Sequence, residues 1–238
     1  DKRETQFNEK EAVRGKNMAR DMTKGRILPQ MTAFAIPLIL GNLFQILYNA
    51  TDSIIVGKFV GDDALAAVGT AGPIMNMAIL FISGMCMGAG ILMSTLYGAK
   101  DMKNLEKQIS TTLIGGLVFS LLIAFLMIVF AVPILRLINS PEEIIGSAAI
   151  YLRVVFLGLI FTFVYNFLAN TLRALGDSRT PLYFLVISAF LNVAGDLLFV
   201  VTLKLGVMGS AVATVLSEAL CCVCCGIYVK LKVPVLCL

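Results

Sequence analysis

Residues 31–56, MTAFAIPLILGNLFQILYNATDSIIV, decide the fold: the run is long enough to cross a bilayer as a helix, yet it carries polar groups. Asn42, Gln45, Asn49 and Asp52 are spaced by three, four and three residues, so a helix of 3.6 residues per turn sets them on one stripe. An ionisable group at the bilayer centre costs about 2.5–3.5 kcal/mol on insertion scales. The pattern therefore predicts that the stripe is hidden from lipid and that Asp52 meets partners from other spans. Pro37 removes one backbone hydrogen bond in the first half of this helix and marks the expected bend.

The rest of the chain has the same character. Hydrophobic residues make up 58% of its 238 positions and charged residues 14%, where soluble domains carry about 25% charged. With a mean hydropathy of +0.90 this is a polytopic membrane protein. Its apolar runs suit helices crossing about 30 Å of hydrocarbon, and they are too long and continuous for the alternating strands of an outer-membrane barrel. The expected class is all-α, with six transmembrane helices at about 31–56, 64–97, 109–135, 148–172, 182–203 and 207–229. A polar, basic tail at 1–27 precedes the bundle at 28–230, and residues 231–238 read as the start of a truncated cytoplasmic linker. The tail lacks the apolar core of a cleavable signal peptide.

Charge placement predicts topology. If alternate loops share a side, the side holding both termini carries fifteen Lys and Arg and the opposite side carries four. Positive residues favour the cytoplasm, so both termini are expected there, in a multi-pass protein of the cell membrane. The net charge of +4 is concentrated in the tail and short loops, which argues against a nucleic-acid partner.

Several chemistries are weak from the start. The chain has no His, no metal-ligand cluster and no nucleophile beside a base, so no enzyme activity and no cofactor is expected. Four of its six cysteines crowd into CCVCC at 221–225 without a second ligand pair, and they read as helix-packing residues. Gly84 and Gly88 form a GxxxG spacing that predicts close helix approach. Arg153 is expected to snorkel to the interface. In RALGDSRTP at 173–181, Gly176 suits a helix C-cap and Pro181 the first turn of the next helix.

Three acidic residues remain inside the spans: Asp52, Asp196 and Glu218. Asn192 and Asp196 share one face of the fifth span, and Thr214 and Glu218 one face of the sixth. If these faces meet the stripe on the first span, the bundle encloses carboxyl, amide and hydroxyl oxygens together. Such a cluster is able to take up a proton or to bind a small hard cation such as Na⁺, and the residues do not choose between them. The plainer alternative is that these groups only tie helices together through hydrogen bonds of about 0.6 kcal/mol each.

The pattern PLILGNLFQILYNATDSIIVG at 37–57, the following GDDALAAVG at 61–69, RALGDSRTP at 173–181 and NVAGD at 192–196 together resemble the N-terminal lobe of the multidrug and toxic compound extrusion (MATE) family, in particular its DinF-like prokaryotic members. The resemblance covers about residues 28–229. It implies efflux of organic cations or amphipathic drugs in antiport with H⁺ or Na⁺. It also implies that Asp52, Asn192, Asp196 and Thr214 form the cation-coupling site, with Gln45, Asn49 and Glu218 as supporting candidates and the switching kink of the first helix near Pro37. Members of that family have twelve helices in two lobes, so the six expected here imply one lobe that lacks its C-terminal counterpart or pairs with a second copy. A lipid or lipid-linked oligosaccharide flippase of related fold, and a truncated remnant without transport, are the competing expectations.

Overall fold

The computed structural model describes residues 27–232, and its regular structure is helical throughout. The helices are α1 (Ile27–Phe59), α2 (Asp62–Gly98), α3 (Met102–Leu137), α4 (Glu142–Leu157), α5 (Leu159–Ala174), α6 (Arg179–Asp196), a π-helix at Leu197–Thr202, and α7 (Val207–Lys232). Most of the basic tail, the proposed linker after residue 232, and Cys237 lie outside the described residues. Five helices, counting α6 with its π extension as one, are each long and apolar enough to cross a membrane, and α4 with α5 makes a sixth span bent by 46°. Six spans are present, as the hydropathy pattern predicts.

The fourth span, expected as a single helix at about 148–172, is longer and broken in two. That span starts at Glu142 and breaks at Gly158, whose N–H is shared between the Val154 and Val155 carbonyls. A Cβ on Gly158 would stand 2.5 Å from Val215 Cγ2 on α7. Glycine inside an apolar helix costs only about 1 kcal/mol, so the sequence pattern runs through it, and the approach of α7 marks where the helix turns.

Helix ends follow local chemistry closely. Lys100, Asn139 and Gly176 each adopt positive φ after a helix and hand their N–H groups back to Tyr97, Arg136 and Arg173, while the next N–H in each case reaches Leu96, Leu135 or Leu172. This is the Schellman arrangement, and it confirms Gly176 as a C-cap. The charged connection expected at 98–107 shrinks to three residues, because Asp101 caps α3 by accepting from the Asn104 N–H at 3.2 Å. Asp177 does the same for α6, accepting from the Arg179 and Thr180 amides at 3.1 and 3.0 Å, with Pro181 in the first turn. Tyr165 of α5 donates to the Pro181 carbonyl at 2.9 Å and ties this turn to the bundle.

Packing divides the bundle. α2, α3, α4 and α5 pack on one another, α1 lies mainly along α6, and α7 joins the two groups by contacting α4, α5 and α6. Phe156 and Phe163 are fully buried at the first of these cores, and Phe163 occupies the space that a Cβ on Gly116 of α3 would fill. The predicted close approach at Gly84 and Gly88 does not occur, since no neighbouring atom lies within 4 Å of a Cβ placed at either. Exposed Ile39, Leu80 and Phe125 belong to the apolar exterior. Arg153 is exposed, consistent with an interfacial position, and the described cysteines are all free thiols.

The Gly158 contact gives a direct test. Gly158→Ala is expected to cost about 1–3 kcal/mol through overpacking against Val215, and Val215→Ala in the same chain to recover most of that loss. Thermal unfolding of the four members of the cycle in detergent, followed by circular dichroism, measures the coupling.

Candidate functional site

The buried polar groups gather where α1, α6 and α7 meet. Asp52 on α1 is 6% exposed, Asn192 and Asp196 on α6 are 1% and 0% exposed, and Thr214 and Ser210 on α7 are 7% and 0% exposed. Asp52 Oδ1 accepts a hydrogen bond from Ser210 Oγ at 2.6 Å, and Asn192 Nδ2 donates to Thr214 Oγ1 at 3.1 Å. The Asp52 and Asp196 carboxyl groups lie within electrostatic reach of each other. The four residues that the family resemblance groups together therefore do converge.

What they lack is as informative as what they share. Both oxygens of Asp196 and the Oδ1 of Asn192 are buried without a hydrogen-bond partner. All three are acceptors, whereas the Asn192 amide and the Ser210 hydroxyl already donate. Arg136 and Glu142 form an ion pair at the surface, at 3.5 Å, and among the described residues no Lys or Arg is paired with either aspartate. Leaving a buried acceptor unmet costs about 1–3 kcal/mol and a buried charge considerably more. A cluster of carboxyl, amide and hydroxyl oxygens with no compensating cation fits a proton or a small hard cation.

Glu218 occupies a separate position. Its Oε2 accepts from Thr162 Oγ1 of α5, not from the aspartate cluster. Asn166, one turn on, donates to the Thr162 carbonyl at 2.8 Å and accepts from Ser83 of α2 at 3.2 Å, so α7, α5 and α2 are stitched by polar contacts. Asn170, which could have joined helices, bonds instead to the Asn166 carbonyl of its own helix at 2.8 Å. Tyr48 on α1 and Tyr151 on α4 lie within electrostatic reach of Asp52, Asp196 and Glu218 alike.

The stripe on α1 behaves differently from its prediction. Only Asp52 is buried, while Asn42, Gln45 and Asn49 are exposed and take no part in the cluster. Asp52 lies where α1 meets α6 and α7, and the earlier turns carry their amides on an open face. Pro37 is buried within α1, which continues as one helix to Phe59. Sequence reasoning missed Ser210 and the two tyrosines. A signal existed: Ser210, Thr214 and Glu218 recur every four residues, and Tyr48 precedes Asp52 by four.

A family model for MatE matches residues 37–198, which contains Asp52, Asn192 and Asp196. The chain belongs to the MatE family. It is 34% identical over 204 residues to a probable multidrug resistance protein, YpnP, of Bacillus subtilis, covering 85% of this chain and 45% of that protein. A second Bacillus subtilis relative, the probable multidrug resistance protein YoeA, is 36% identical over 201 residues, with 82% and 43% covered. A solved MOP superfamily transporter from Pyrococcus furiosus superposes with a TM-score of 0.80 at 28% identity, covering 85% of this chain and 45% of that one. The chain thus spans about half the length of the relatives it matches. As a member of a transporter family, it takes the all-helical, membrane-embedded fold of MATE proteins.

The Asn192–Thr214 bond supplies the next prediction. Thr214→Val leaves the buried Asn192 Nδ2 without an acceptor, beside an Oδ1 that already lacks a donor, and is expected to destabilise the chain by about 1–3 kcal/mol. Thr214→Ser keeps the oxygen and should stay within about 1 kcal/mol of the parent on the same unfolding measurement.

Proposed function

We propose that this chain forms the N-terminal lobe of a secondary exporter of organic cations or amphipathic compounds, driven by inward movement of H⁺ or Na⁺. The observation that carries this reading is the set of buried, unpartnered acceptors on Asp196 and Asn192 beside Asp52, with no cation to neutralise them. Asp52, Asn192, Asp196 and Thr214 would hold the coupling ion; bound there, a proton or Na⁺ supplies the positive charge that the cluster lacks. Glu218 is a supporting group on the same helix face as Thr214.

The relatives' names as multidrug resistance proteins support small-molecule substrates. The interior also favours cations over lipid phosphates, because its span-embedded charges next to the site are carboxyl groups. α1 carries both Pro37 and Asp52, so a change of charge at Asp52 has a helix with a soft point on which to act. The exposed amides of Asn42, Gln45 and Asn49 suit a surface that faces a second lobe, a second copy or substrate rather than lipid. The excess of Lys and Arg on one side of the membrane supports cytoplasmic termini in the cell membrane.

Proteoliposomes test this when they hold residues 28–230 joined to the C-terminal half of YoeA. A Na⁺ or H⁺ gradient is expected to drive ethidium efflux, and Asp196→Asn to reduce the driven rate by at least about tenfold, since about 1.4 kcal/mol of lost interaction with the coupling ion already amounts to that. Efflux at the parent rate in Asp196→Asn would rule out the coupling role given to this residue.

A further inference from the structure

We propose that Ser210 is a positioning residue of the ion site that sets its preference between a proton and a small hard cation, a reading that rests on the Asp52–Asp196 pair being the coupling site. Ser210 is 0% exposed and donates to Asp52 Oδ1 at 2.6 Å. α1 and α7 touch only narrowly, and among the described residues this is the side-chain hydrogen bond that joins them. It fixes Asp52 against α7 and so fixes where its carboxyl meets that of Asp196.

The backbone around Ser210 is shaped to place it. Gly206 turns the chain with φ +61°, and the Gly209 N–H closes the first turn on the Gly206 carbonyl at 3.0 Å. A Cβ on Gly209 would lie 3.0 Å from both the carbonyl carbon and the oxygen of Phe199, in the π-helix that begins directly after Asp196. Because the obstacle is backbone, no rotamer change relieves it. The bare Gly209 lets α7 rest on the wide turn, and the next residue, Ser210, is thereby brought to Asp52.

The chemistry separates two occupants. A proton needs one carboxyl oxygen, whereas a hard cation needs several oxygens at once. Asp196 and Asn192 supply three unpartnered acceptors, and Asp52 and Thr214 supply more. A hydroxyl whose oxygen is fixed but whose hydrogen rotates serves either state: it donates to the Asp52 carboxylate, or turns a lone pair toward a cation. Alanine at 210 removes that oxygen and unpins Asp52, but leaves two carboxyl groups that still accept a proton.

Calorimetric Na⁺ titration of the purified chain in lipid nanodiscs, with proton uptake followed by an indicator dye, tests this on the parent and on Ser210→Ala, Ser210→Thr and Asp196→Asn. Ser210→Ala should weaken Na⁺ binding about tenfold while proton uptake persists, and Ser210→Thr should restore Na⁺ binding to within about threefold of the parent. Asp196→Asn should remove Na⁺ binding and diminish proton uptake. Parent-like Na⁺ binding in Ser210→Ala, or equal loss of both ions in a chain that keeps its helical circular dichroism, overturns the role of Ser210 while leaving the aspartate site intact. Absence of Na⁺ binding in the parent overturns it too, whereas parent-like behaviour of Asp196→Asn overturns the site itself. Should Ser210→Ala fail to fold, Ser210→Cys, which keeps the volume and loses the oxygen, takes its place with the same expected outcome.

Discussion

The structure depends on a charge problem solved in part. Asp52 and Asp196 are drawn out of water beside each other, in spans where burying an uncompensated carboxylate costs several kcal/mol. The surrounding helices meet only some of that demand: Ser210 donates to Asp52, and the Asn192 amide donates to Thr214 rather than to either aspartate. A stable scaffold would have added an arginine or a further donor. This one stays short of positive charge, and the ion-coupling role proposed for it rests on that shortfall.

Holding that shortfall open requires rigid surroundings. α7 is the element that packs most extensively on both halves of the bundle, and the Gly158, Gly195 and Gly209 contacts show how closely it is seated. A Cβ on Gly195, the residue just before Asp196, would come 3.0 Å from Ala213 Cβ. Small residues serve here as they do in many membrane bundles, where association rests on packing rather than on the hydrophobic effect. The thread from Glu218 through Thr162 and Asn166 to Ser83 adds polar cross-links among α7, α5 and α2.

Much of this was legible in the sequence because hydrophobic length and four-residue spacing are direct consequences of helix geometry. The six spans, the Gly176 cap and the shared faces of Asn192 with Asp196 and of Thr214 with Glu218 follow from such patterns, while the meeting of Asp52, Asn192, Asp196 and Thr214 was what the family resemblance implied. What escaped were outcomes of contact between helices. Gly158 looks like any tolerated glycine until Val215 is seen against it, and Gly84 and Gly88 look like a packing motif until their faces are seen open. The exposure of Asn42, Gln45 and Asn49 escaped for a related reason: periodicity states which residues share a stripe, but not how far along the stripe a neighbouring helix reaches. Ser210 is an ordinary small residue by composition, and only its distance to Asp52 distinguishes it.

The π-helix at Leu197–Thr202 bears on how this protein is able to change over generations. Removing one residue within α6 ahead of Asn192 would rotate Asn192 and Asp196 by about 100° relative to the residues before the deletion and carry both off the face they share with Asp52. The wide turn lies beyond Asp196 and already contains a residue more than a regular helix needs, so a lost codon there tightens the turn and leaves Asn192 and Asp196 in place. Length is negotiable there as far as the register of Asn192 and Asp196 is concerned, and what a change at this end does move is the seat of Gly209 on Phe199, and with it the hydroxyl that reaches Asp52.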